Sequence, residues 1–168
     1  MIRLAAMAAL CAAAITPALA DASAPQGGAF LSYAAQDNQA EIELCLLAEK
    51  RAESPAVKAF ARLMVDDHVE IESRLAALAN SEKAKLPEGV GDDGRKTHDK
   101  LDPLSGRDFD AAFLKAQIED HSKDVRRFQG EASDGKDAAI GRFAAETAPI
   151  LEQHLALAQA VRASMGSK

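Results

Sequence analysis

The chain has 168 residues, a formal net charge of −6, no tryptophan and an aromatic content of only 4%. Acidic and basic residues alternate instead of forming a basic stripe, which argues against nucleic acid or anionic lipid as a partner. The scarcity of aromatic rings likewise disfavours a sugar- or base-stacking surface, and two cysteines make no disulfide framework.

The first twenty residues read as a secretory signal. Arg3 precedes an apolar stretch from Leu4 to Ile15, Thr16-Pro17 breaks it, and Ala18-Leu19-Ala20 offers small residues for cleavage after Ala20. The stretch is shorter than the about 20 apolar residues of a membrane span, and no later segment approaches that length, so no integral membrane segment is expected. Cys11 follows Leu10 rather than a small residue and belongs to the removed signal. Cys45 is then the only cysteine left, and stability must come from burial. Loss of Arg3, the only charged residue in the signal, takes the net charge from −6 to −7.

After a polar leader at 21–28, helical periodicity begins. A first long helix over 29–52 points Phe30, Ala34, Asp37, Glu41, Leu44 and Ala48 inward. Ser54-Pro55 is a helix start, with Ser at the N-cap and Pro at the first helical position, and the second helix runs to about Leu78. Its inward rows include Phe60, Met64, His68, Ile71 and Leu75. Residues 80–106 form a polar, glycine-containing connection, with room for a short helix over 95–101 and length enough to cross the whole molecule. Ser105 and Asp108 resemble a capping box opening a third long helix, whose inward row passes through Gln117 or Ile118, His121, Val125 and Phe128. A fourth, from Asp137 to about Ala163, carries Ile140, Phe143, Thr147, Ile150, His154 and Leu157 inward, with a kink expected at Pro149. The architecture implied is all-α: a four-helix bundle domain over 29–163, a tail at 164–168, and a long connection between the second and third long helices.

Polar residues interrupt the apolar rows near mid-height. Glu41, His68, His121 and His154 each come from a different long helix, and Asp67 and Asp120 flank two of the histidines. Buried imidazoles and carboxylates need partners, either one another or a metal ion. The residue types suit iron, zinc, manganese or copper. Di-iron carboxylate bundles place a Glu three residues before the liganding His; here those positions are Val65, Ile118 and Leu151. Two readings therefore stand side by side. One is a register-fixing hydrogen-bond network. The other is a mononuclear metal site of Glu41, His68, His121 and His154, with Asp67 and Asp120 supporting the ligands from behind. Met64 and Cys45 are read as core, and His98 as solvated. Buried histidines would also cost stability once the pH falls below about 6.5.

The chain resembles exported ferritin-like proteins of domain-of-unknown-function family 4142, labelled as outer-membrane or periplasmic. The resemblance spans about 30–161 and rests on Phe30-Leu31, Ala34-Ala35 and Ala40-Glu41; on Ala59-Phe60-Ala61, Met64-Val65 and Asp67-His68; on Leu104-Ser105-Gly106 with Phe109-Asp110; on His121; and on Pro149 with Glu152-Gln153-His154-Leu155. It implies a ferritin-like bundle and export, and carries no activity. No alternating strands of an outer-membrane barrel are visible. No nucleophile–base pair and no phosphate loop is present, so the sequence reads as a non-catalytic periplasmic binding or stress-related module, with a metal-binding or redox bundle as the alternative. It leaves a protein partner or self-association open.

Overall fold

The computed structural model describes residues 24–166; the expected signal peptide and its cleavage site lie outside them. Five helices follow one another: α1 Ala24–Arg51, α2 Pro55–Ser81, α3 Gly91–Leu101, α4 Gly106–Asp134 and α5 Ala138–Met165. The four long ones form the expected ferritin-like bundle, and no described helix is long and apolar enough to cross a membrane.

Tight turns join α1 to α2 and α4 to α5, so each pair is antiparallel. The pairs meet through α1 against α4 and α2 against α5, which leaves α1 diagonal to α5. Ala52, at the end of α1, forms an isolated parallel bridge with Gly106, at the start of α4. Helices α2 and α4 therefore run in the same direction, and residues 82–105 travel the full height of the bundle between them. Helix α3 lies within this crossing and packs on α1 and α4. It starts at Gly91, earlier than the expected residue 95, with Asp92 and Asp93 in the first turn, where the helix dipole favours acidic groups. Gly94 lets it approach closely: a Cβ there would sit 2.6 Å from Ala40 Cβ. Helix α1 also starts earlier than expected. Pro25 is compatible with a first helical turn, and Gly27 lies where a Cβ would come within 2.7 Å of Ile140 Cδ1.

The end of the bundle where α2 and α4 begin is tied by one side chain. Buried Asp110 of α4 accepts hydrogen bonds from the backbone N–H of Glu53 (3.1 Å) and of Ser54 (2.8 Å). Ser105 takes the N-cap backbone conformation, but the expected capping box is not made: no side chain caps α4. Ser54 likewise takes the N-cap backbone conformation of α2 without a side-chain cap, and its own N–H is one of the two that Asp110 holds. Gly106 sits at φ +61°, where a side chain would be strained. Helix α5 follows the local rule instead, Asp137 Oδ1 accepting from the N–H of Ala139 (2.8 Å) and Ile140 (3.0 Å). Helix α5 continues through Pro149, whose ring lies on the exposed face, so the unpaired carbonyl is on the water side.

The apolar core falls into two clusters at opposite ends. One gathers Leu44, Cys45, Val57, Phe60, Met64, Phe109, Phe113 and Leu114; the other Phe30, Leu31, Ile71, Leu75, Phe128, Ile140 and Phe143. Cys45 and Met64 pack here as core residues, and burial pushes the Cys45 thiol well up, away from its reactive form. The polar layer lies between the two clusters.

Replacing Asp110 with alanine strands two backbone N–H groups at the tied end. Asp110→Ala should lower the unfolding free energy by about 2–4 kcal/mol in urea titration, whereas Arg107→Ala, which breaks an exposed ion pair nearby, should change it by less than about 0.5 kcal/mol.

Candidate metal centre

Three of the four residues expected at mid-height converge. His68 of α2, His121 of α4 and His154 of α5 are buried, with ring centroids 5.9, 5.3 and 5.4 Å apart in the three pairings. One nitrogen from each lies within 4.8 Å of the other two.

Each ring is held by its other nitrogen. His68 Nδ1 lies 2.9 Å from Asn38 Oδ1, and the same Asn38 donates through Nδ2 to the His68 carbonyl at 3.0 Å, which fixes the amide's orientation. His121 Nδ1 lies 3.1 Å from the Gln117 carbonyl, and His154 Nε2 lies 2.8 Å from Asp67 Oδ2. All three partners are acceptors, so these nitrogens carry the proton. A neutral imidazole has one donor and one acceptor nitrogen, so His68 Nε2, His121 Nε2 and His154 Nδ1 present lone pairs. Those three atoms are buried and have no hydrogen-bond partner.

Electrostatics keep the rings neutral. Burial lowers His68, and the neighbouring His121 and His154 lower it further. Burial and His154 push His121 down to about 3. Burial also lowers His154, against the pull of Asp67. Protons therefore do not compete for the inward lone pairs at neutral pH.

Glu41 does not join the three rings. Helix α1 is diagonal to α5 and faces α4, so Glu41 meets α4 instead: its Oε2 accepts from Gln117 Nε2 at 2.6 Å. Asp120, expected behind His121, lies instead beside Asp37, with one oxygen of each within 4.8 Å of the other. With Asp124 these form a second, acidic group, in which Tyr33 donates to Asp124 Oδ1 and the Arg127 guanidinium lies 3.6 Å above the Tyr33 ring. Burial, then neighbouring carboxylates, raises Asp37 and Glu41, and raises Asp124 to about 7. The mid-height layer is thus two groups, imidazoles on one side and carboxyls on the other. Asp67, which flanks His68 in sequence, reaches His154 of α5 instead.

Asn38 and Asp124 were absent from the inward rows read in the sequence. The signal was there: Ala34, Asn38, Glu41 and Cys45 follow a four-three-four spacing, as do Gln117, His121, Asp124 and Phe128. The positions three before the histidines are apolar and packed, Leu151 in one cluster and Val65 and Ile118 against the other, so no carboxylate reaches the rings in di-iron fashion.

The family model of the domain of unknown function DUF4142 matches residues 12–161. No curated protein matches the sequence. Two solved structures are similar in fold. A DUF305 protein from Streptomyces coelicolor, described as secreted, superposes with a TM-score of 0.71 at 15% identity, over 83% of this chain and 92% of that one. CopM in its Cu(II)-bound form superposes with a TM-score of 0.68 at 15% identity, over 83% of this chain and 97% of that one.

The two groups oppose each other in pH dependence. Folded Asp124 holds a proton up to about pH 7 that the unfolded chain releases near pH 4. Its contribution to stability is full below about pH 4 and is lost as pH rises to about 7. The histidines do the reverse. The unfolded chain takes up protons near pH 6.5, while His121 stays neutral to about 3, so that contribution is full above about pH 6.5 and falls with pH. Asp124→Asn removes only the acidic contribution. Urea unfolding at stepped pH should show the variant gaining on the parent between about pH 4 and pH 7, by at most about 1.4 kcal/mol per pH unit, and level above that. A difference constant across the range would contradict a proton-holding Asp124.

Proposed function

We propose that this chain, which belongs to the DUF4142 family, is an exported, periplasmic, non-catalytic metal-binding bundle that holds one transition-metal ion on His68, His121 and His154. One observation carries the reading: three buried imidazoles, with one nitrogen of each within 4.8 Å of the others, each keep one ring nitrogen without a partner while the opposite nitrogen is tied to an acceptor. Three lone pairs facing one another in a dry interior repel, and a Lewis acid relieves that repulsion.

The donor set narrows the metal. Imidazole alone suits copper and zinc, whereas manganese and non-haem iron are better served by carboxylates, and Glu41 is directed elsewhere. Copper leads by the general order of affinities, and the fold it shares with CopM in its Cu(II)-bound form agrees with that choice. The bound ion would supply a fixed positive charge and, for copper, a one-electron couple. The chain's own groups do the rest. Asn38 and the Gln117 carbonyl orient two rings, Asp67 orients the third and offsets charge, and the two apolar clusters exclude water above and below. Export is supported by the sequence of residues 1–20 and by the fold shared with a protein described as secreted.

Untagged protein titrated with Cu(II) or Zn(II) should bind one equivalent at the imidazoles and unfold at higher temperature, with about 2.7 kcal/mol gained at free metal one hundred times Kd. The double variant His68→Ala/His121→Ala should lose that equivalent. Asp67→Asn should keep the stoichiometry and weaken affinity by about 10–100-fold. Binding that survives the double variant unchanged, or no binding at all, would sink the assignment.

A further inference from the structure

The acidic half of the mid-height layer is a different chemical object from the three rings. Its members come from two helices: Asp37 and Glu41 on α1, Asp120 and Asp124 on α4. One oxygen each from Asp37, Asp120 and Asp124 lies within 4.8 Å of the other two. Burial, and then Asp120 among the neighbouring charges, raises both Asp37 and Glu41. Nearly every polar atom here is an acceptor. Among the described residues, the donors that reach the group from outside its carboxyls are the Tyr33 hydroxyl on Asp124 and the Gln117 amide N–H on Glu41, with Lys123 Nζ at the rim 3.6 Å from Asp120 Oδ1.

Two buried oxygens are left without a partner. Asp124 is 1% exposed, and its Oδ2 has no partner. Gln117 is also 1% exposed; its Nε2 is spent on Glu41 and its Oε1 has no partner. A buried amide oxygen facing nothing, beside carboxylates, is a costly arrangement unless something electropositive sits there. A cleft of about 260 Å³ between α1, α3 and α4 opens beside the group; Glu41, Gln117 and Asp120 line it together with Lys100, Lys115 and Lys123, while Asp37 and Asp124 lie outside its lining. Asp37 and Asp120 are only half-buried, so the oxygens are reachable from outside.

We infer that Asp37, Asp120 and Asp124, backed by Glu41 and Gln117 Oε1, form a second site, for a hard divalent cation of the calcium or manganese type. The donors are all oxygen, which is the preference of calcium, magnesium and manganese and the reverse of the imidazole set. A doubly charged ion would take the place of two of the protons these carboxyls hold. The rim lysines lower the surplus negative charge without entering the oxygen cluster. This site does not depend on metal at the histidines, because the two donor sets share no residue.

Terbium(III), a hard ion of calcium-like size, is a selective probe. Tyr33 is the chain's only tyrosine and there is no tryptophan, so terbium emission sensitised by protein excitation reports an ion close to the Tyr33–Asp124 pair and ignores carboxylates elsewhere on the surface. Terbium added to the mature protein should give sensitised emission that saturates at one equivalent and is displaced by Ca(II) or Mn(II). Asp37→Asn and Asp124→Asn should each weaken it by at least about tenfold. His68→Ala/His121→Ala should leave it unchanged, which separates this site from the imidazole one. Far-UV circular dichroism identifies any variant that fails to fold; Asp37→Asn, at a half-buried position, then stands as the deciding variant. Absent emission, emission indifferent to both Asn variants, or emission that neither Ca(II) nor Mn(II) displaces (an adventitious ion only) would each overturn the inference.

Discussion

Most polar atoms placed halfway up this four-helix bundle are cut off from water, and the packing around them accommodates that constraint. Two apolar clusters close the bundle above and below the layer. Of the nine described residues that are buried and polar or charged, Asp110 sits at the tied end and Thr147 about two turns along α5 from His154; the other seven belong to the layer, and the chain pairs each ring nitrogen that can donate with an acceptor. Asn38 does this twice for one histidine, gripping both its ring and its carbonyl. What remains after that pairing is a set of buried nitrogen and oxygen atoms with no partner.

The division of the layer follows from which helices are neighbours. Helix α1 touches α2 and α4 but lies across the bundle from α5. A side chain at mid-height on α1 therefore reaches α2, as Asn38 does, or α4, as Asp37 and Glu41 do. The three histidines sit on the other three helices and meet without it. The up-down-down-up course of the chain, enforced by the crossing of residues 82–105 and secured where Asp110 ties the α1–α2 turn, decides that arrangement before any side chain is placed.

Much of this was legible in the sequence. The long helices, the crossing connection and the three inward histidines follow from periodicity and from Ser54-Pro55, Asp137 and the glycine-containing segment. The destination of Glu41 was not legible. Its spacing puts it inward, but only the azimuth of α1 relative to α4 and α5 tells which inward group it joins, and that angle is a tertiary property. Asp120 shows the same limit: adjacency to His121 in sequence means divergence by about 100° around the helix, and the carboxylate ends among acids, not behind the ring. Asp110 reads as a core-facing oddity in sequence, since its partners are backbone groups some fifty residues away. Asn38 and Asp124 could have been found by extending the four-three-four rows through Glu41 and His121.

The central claim is that three imidazole lone pairs face one another in the folded chain, and nitrogen NMR of the histidine rings tests it most directly. At neutral pH the metal-free protein should show His68 and His121 protonated only at Nδ1 and His154 only at Nε2, and one equivalent of diamagnetic Zn(II) should shift the three opposite nitrogens and no others. Protonated rings, the reverse tautomers, or spectra that zinc leaves unmoved would contradict it.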